Sequence, residues 1–323
     1  EPLLWAIVRG ASGFCFAGIY VVAESWLNDR ATNSNRGTLL SAYMVILYGG
    51  LGAGQFLLVL ADPAGPHLFM LVAALVCLAL VPITLSVQRA PEVDVPQHIG
   101  LAELYRASPL GVAGVGLGGM ISGTLFSIGP VFAQLTGLAS EGIAAFMAFS
   151  IFAAVLTQLP IGRWSDRVDR RNVLVTVCML AALAALGAML VTHHSTAALL
   201  AFATLFGGLA LTLYSLALSH VNDHLRPAQM VAASSSMILL NGAGAALGPV
   251  AVAILMNALG PSAYFASLAV LCATLGGYGM WRKHRRASVP SGEKVHFVAA
   301  QPQAVAGQMV GEATATQQEA ETP

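Results

Sequence analysis

Nine long apolar stretches alternate with short polar gaps, at roughly 3–27, 38–60, 67–87, 108–133, 141–162, 172–191, 196–219, 230–257 and 261–281. A helix of about 20 residues crosses a hydrocarbon core of about 30 Å, and each stretch is long enough for that. The pattern therefore predicts an all-α membrane protein with nine spans. The gaps sort themselves by charge. Those at 28–37, 88–107, 163–171 and 220–229, with the tail from Arg282, hold fourteen of the fifteen Lys and Arg residues. The gaps at 61–66, 134–140, 192–195 and 258–260 hold none, and Arg9 alone lies inside a span. Cationic loops stay on the cytoplasmic side. The expected topology has a cytoplasmic C-terminus and a first span that starts outside.

Composition sharpens this picture by exclusion. Hydrophobic residues make up 57% and charged residues 9%, far below the quarter usual in a soluble domain. No basic face with interleaved aromatics is present, so nucleic acid is not an expected partner. Cys15, Cys77, Cys178 and Cys272 each lie in a different span without CxxC spacing, which reads as packing rather than a disulfide or metal framework. His220 and His224 flank Asp223, and His193 and His194 are adjacent. Neither pair has the glutamate of a zinc-helix motif, so both are expected as solvated loop residues. No metal, no cofactor and no catalytic constellation are expected, and no phosphate-cradling loop is present.

A shift of 194 residues brings two stretches into register. Gly13, Tyr20, Ala23, Ser25, Asn28 and Asp29 meet Gly207, Tyr214, Ala217, Ser219, Asn222 and Asp223; Ser41, Gly50 and Gly54 meet Ser235, Gly244 and Gly248. Each copy is an apolar helix, an Asn-Asp turn and a glycine-studded helix. Parallel duplicated halves are a transporter architecture. With a second half beginning near Ser108, the first would begin some 85 residues before Glu1, room for three more spans. The expectation is nine helices of twelve. Residues 1–87 would be the last three helices of the first half, 88–107 a cytoplasmic linker, 108–281 the second six-helix half and 282–323 a disordered tail.

The gap Gly162-Arg163-Trp164-Ser165-Asp166-Arg167-Val168-Asp169-Arg170-Arg171 resembles the cytoplasmic-loop signature of the major facilitator superfamily, with Asp169 where that family usually has glycine. Arg9, Gly13 and Ala17 are similar to its fourth-helix pattern. Adding Glu24-Ser25, Asn35-Arg36-Gly37, Ala42-Tyr43-Met44, Gly54-Gln55 and Gln158-Leu159-Pro160-Ile161-Gly162-Arg163, the chain resembles the YcaD-like branch over most of residues 3–281. The resemblance implies a major facilitator-type bundle and a secondary transporter working by alternating access on a small organic solute, with protons as the candidate coupling ion. It implies a monomer in the bacterial inner membrane, not an enzyme. Gly54-Gln55 stands where many drug/proton antiporters have Gly-Pro. A non-transporting bundle or an inactive truncated copy remains the alternative.

Charges at bilayer depth narrow the candidates, because they are costly unless they face a cavity or a partner. Arg9, Gly13, Tyr20 and Glu24 fall on one stripe of a helix. Arg9 and Glu24 are about 22 Å apart at 1.5 Å per residue, too far to pair. Arg9 is a candidate for binding an anionic group or for snorkelling to the interface, and Glu24 for proton carriage or a cytoplasmic latch. Gln55, Tyr214 and Asn241 complete the substrate candidates, with Gln158, Ser127 and Gln134 as further polar positions whose alternative role is interhelical hydrogen bonding. In the charged loop, Gly162, Arg163, Asp166, Arg167, Arg170 and Arg171 are the candidate cytoplasmic gate: an acid past one helix end and a basic pair before the next can lock neighbours together. The glycine rows at 111–123 and 50–54 are expected to bring helices close.

Overall fold

Long runs of Leu, Ala, Val and Gly without charge satisfy their backbone polar groups internally only as helices, and every described element is helical. The computed structural model describes residues 3–4, 7–16, 18–19, 36–62, 65–85, 100–225, 227–283 and 285. The helices are α1 (Ile7–Phe16), α2 (Arg36–Gln55), α3 (His67–Leu85), α4 (Leu101–Ala107), α5 (Pro109–Leu135), α6 (Ser140–Arg167), α7 (Arg170–Val191), α8 (Thr196–Ala210), α9 (Leu213–Asn222), α10 (Pro227–Leu259) and α11 (Ala263–Lys283). A 3-10 turn, Phe56–Val59, extends α2.

Six segments among the described residues are long and apolar enough to cross a membrane: α5, α6, α7, the pair α8–α9 taken together, residues 236–259 of α10, and α11. Their bounds lie close to the stretches read from the sequence between 108 and 281. The turns that separate them have local causes. Gly137 and Gly260 adopt φ of 86° and 89°, the left-handed region that other residues avoid. Asp169 caps α7 by accepting a bond from the Arg171 amide at 3.0 Å, and Ser195 caps α8 through the Ala198 amide at 3.3 Å.

Packing follows the small residues. The most extensive contacts are α5 with α10, then α11 with α7, then α6 and α7 with α8. Along the first seam, Cβ atoms added at Gly119 and Gly123 would collide with the α10 backbone at Asn241 and Ala245. Additions at Gly244 and Gly248 would strike α5 at Gly116 and Met120. Without hydrophobic drive between helices in lipid, this backbone approach supplies the dispersion contact that holds the pair. The row in α2 behaves differently: a Cβ on Gly52 would meet the Phe152 ring at 2.8 Å, but Gly50 and Gly54 have open space around them. Gly52 and buried Tyr48 seat α2 on α6 beside Ile151.

One expected span is interrupted by a tighter turn, with Leu211 and Thr212 still in right-handed helical dihedrals. The stretch 196–219 is two helices, with α8 ending at Ala210 and α9 beginning at Leu213. Thr212 turns its hydroxyl back onto the Leu209 carbonyl at 2.7 Å, which tightens the chain there. Thr157 of α6 donates to the Gly208 carbonyl at 2.6 Å across the gap. Pro130 and Pro249 lie inside α5 and α10, which run through both without interruption.

Candidate functional site: a charge cluster at the end of the broken helix

All ten residues of α9, Leu213–Asn222, are buried. A helix ending inside protein must find partners for its last carbonyl groups. Here they come from three directions. Arg170, at the start of α7, donates through Nη1 to the Ser219 carbonyl at 2.8 Å. Ser108, just before α5, donates to the His220 carbonyl at 3.4 Å, and His224 Nδ1 lies 2.8 Å from the same oxygen.

The Arg170 side chain is 1% exposed, and two carboxylates neutralise it. Nη1 lies 2.9 Å from Asp223 Oδ1, and Nη2 lies 2.8 Å from Asp166 Oδ1. Asp223 is 2% exposed, whereas Asp166 keeps 29% of its side chain in contact with the surroundings. The two pairs therefore carry different weight. A buried partner removed leaves an uncompensated charge costing several kcal/mol, about 3–5, while a partly exposed pair is worth less than about 1 kcal/mol. Arg170–Asp223 is the strong arm, and it joins α7 to α9.

The neighbouring cation is held locally. Arg171 closes a bidentate grip on Asp169, with Nε 3.1 Å from Oδ1 and Nη2 2.8 Å from Oδ2. A glycine at 169 could neither cap α7 nor hold Arg171, so the departure from the loop signature has a structural use here.

The remaining predicted residues are placed as follows. Gly162 is buried and its carbonyl accepts from Ser165 at 2.9 Å, whereas Arg163 and Arg167 point outward and are exposed. Tyr214 is buried among Val112, Val115, Leu218, Ala233 and Met237. Asn241 is buried and donates to the Val115 carbonyl at 3.2 Å, tying α10 to α5. Gln55 is half-buried and bonds its own helix at the Leu51 carbonyl, 3.2 Å away. Arg9 is exposed on α1, with no ion pair to a described residue, and Gly13 beside it has open space. Tyr20 and Glu24 lie outside the described residues. Ser127 and Gln134 are exposed; Gln158 is buried and donates to Ser215 at 2.8 Å, which joins α6 to α9.

One expectation needs correction. His220 is not a solvated loop residue. It is 7% exposed on α9, with its ring edge-on to that of His224 at 4.8 Å between centroids, because the helix extends further than the apolar run and is covered on all sides. Asp223, which the sequence marks as a repeat match to Asp29 and as the acid between two histidines, is the buried acid of the cluster. The duplicated Asn-Asp turn was the signal that marked it.

Six helical segments long and apolar enough to cross a membrane, with the ends of α6, α7 and α9 meeting at a buried charge cluster, mark a multi-pass membrane protein. Residues 137–307 match the Major Facilitator Superfamily, and the chain belongs to that family. It is similar to the uncharacterized MFS-type transporter YcaD of Salmonella arizonae, 29% identical over 255 residues, covering 78% of this chain and 65% of the relative. An uncharacterized MFS-type transporter of Enterobacter sp. (strain 638) is 31% identical over 258 residues, with the same coverage. The chain thus spans about two thirds, 65%, of the length of these curated relatives. Family and relatives are transporters, not enzymes.

Proposed function

We propose that this chain belongs to a secondary active transporter that moves a small organic solute by alternating access, with the Asp166–Arg170–Asp223 cluster as a latch that holds one face closed. The observation that carries the proposal is the buried Arg170–Asp223 pair, which ties the starts and ends of three helices (α6, α7 and α9) at one level of the bundle. In this reading the solute site lies near the midplane, by the buried Gln158–Ser215 bond that joins α6 to α9, and is reached when the latch opens. The cation distribution supports a cytoplasmic position for the latch and for the C-terminus, in the inner membrane of a bacterium. Residues 108–281 form the second six-helix half in this reading. Arg9, Tyr20, Glu24, Gln55, Tyr214 and Asn241 remain the candidates for solute or proton contact, in a monomer.

The latch is tested by opening it. Ser215 lies eight residues before Asp223, about 12 Å along the helix. In a background with Cys15 and Cys77 replaced by alanine, where the remaining Cys178 and Cys272 are buried, Ser215→Cys should react slowly with maleimide in inside-out vesicles because position 215 is itself buried. Adding Arg170→Ala should raise the labelling rate at least about tenfold, as expected for a change of a few kcal/mol in a two-state equilibrium. An unchanged rate in a folded variant identifies the cluster as a static anchor. Flux of labelled sugars, amino acids and organic cations into proteoliposomes then tests transport itself.

A further inference from the structure

At the far end of α11 the structure gathers residues the latch does not use. The guanidinium of Arg285 lies 5.2 Å from the centroid of the Trp281 ring, and that of Arg282 lies 5.8 Å from the same centroid. The Tyr278 ring lies 5.8 Å from the same centroid, tilted by 30°. Its hydroxyl meets that of Tyr105, on α4, at 3.4 Å. Either hydroxyl can donate to the other, which leaves the second O–H free to donate outward.

Two like charges share one indole here, and neither forms an ion pair with a described residue. Arg106 and Lys283 add positive charge, and the acid of α4 is Glu103 in its first turn. An indole attracts one cation through its quadrupole; it does not cancel the repulsion between two. An anion bound between the two forks does. Trp281 and Tyr105 are half-exposed, and apolar Leu101 and Met280, on the same two helices, are exposed as well. Tryptophan and tyrosine favour the headgroup level of a bilayer.

We propose that Tyr105, Tyr278, Trp281, Arg282 and Arg285 form a binding site for the phosphate headgroup of an anionic phospholipid. The two guanidinium groups take the phosphodiester oxygens, the tyrosine hydroxyl donates to a third acceptor, and the apolar side chains meet the acyl chains. A free phosphate ion satisfies the first two contacts only; the exposed apolar rim is what commits the site to a lipid. The site also ties α4 to α11, so a bound lipid would fix the short helix preceding the six-span bundle. This inference rests on the membrane placement of the chain and not on transport, and its test measures lipid alone.

In the full chain with Trp5, Trp26 and Trp164 replaced by phenylalanine, Trp281 reports on its lipid neighbours in phosphatidylcholine vesicles. Brominated-chain phosphatidylglycerol should quench it at a much lower mole fraction than brominated phosphatidylcholine, by about tenfold for each guanidinium engaged, as expected for a hydrogen bond to a charged group. Arg282→Gln with Arg285→Gln should remove that preference. Arg282→Lys with Arg285→Lys keeps the charge but loses the planar forks, and should lose most of it. Helicity and gel-filtration profiles check that the variants are folded. Equal quenching by the two lipids overturns the proposal. So does a full preference in the lysine variant, which shows surface attraction only, or loss of quenching on adding inorganic phosphate, which shows a free-anion site.

Discussion

Arg170 carries two carboxylates and a helix-end carbonyl with one guanidinium, and its environment sets how those bonds rank. Arg170→Ala strands Asp223 at 2% exposure, so it is expected to destabilise the protein by about 3–5 kcal/mol. Asp166→Asn, at a partly exposed site, should cost less than about 1 kcal/mol. Thermal unfolding in detergent distinguishes them; because Arg170→Ala removes both arms, an equally large loss in Asp166→Asn would place the energy in the exposed arm and show that burial is not the deciding factor. Part of this was legible in the sequence. The Asp-Arg and Arg-Arg spacing around the 163–171 gap marked the loop as a charge cluster. The identity of the third member was not, because Asp223 lies over fifty residues away and comes to Arg170 only when α9 packs beneath α7. Asp169 was visible as an oddity, and its capping bond to the Arg171 amide explains it.

Two glycine rows of similar appearance diverge at the level of helices. Those facing each other on α5 and α10 touch backbone to backbone, whereas in α2 only Gly52 meets a neighbour. Gly119→Val or Gly123→Val should force the α5–α10 seam apart and destabilise by about 1–3 kcal/mol or more. Gly242→Ala, on the same α10 but with nothing within 4 Å of its added carbon, should be neutral or stabilise by up to about 1 kcal/mol. Melting temperatures of the three variants check both signs at once, and loss of stability in Gly242→Ala would show that glycine in α10 serves something other than close contact. Periodicity identified the helices, but it does not reveal which face meets a partner when nearly every position is apolar. Lipid-facing and buried sides then look alike. The α8–α9 junction is not legible for a related reason: it depends on Thr212 and on Thr157 from another helix, and Gly207-Gly208 just before it looks no different from the glycines inside uninterrupted helices.

The cation distribution speaks for the molecule as a whole. A green fluorescent protein fused after Pro323 should fluoresce in intact cells, whereas alkaline phosphatase at the same point should be inactive; the reverse pattern would place the C-terminus outside, and with it the charge cluster proposed as a latch. Composition and the spacing of apolar runs were sufficient for membrane class and for the approximate bounds of the six long spans, because a bilayer of nearly constant thickness leaves few ways to satisfy a backbone. The loop signature was sufficient for the family, because its charged residues recur at short range along the chain. Pairings over long range were not contained in either pattern. Arg170 with Asp223, Gln158 with Ser215, Asn241 with the Val115 carbonyl and Tyr105 with Tyr278 each join residues at least fifty positions apart. Those partners depend on which helix faces meet, and facing is set by close packing of small residues in three dimensions rather than by any local preference of the chain.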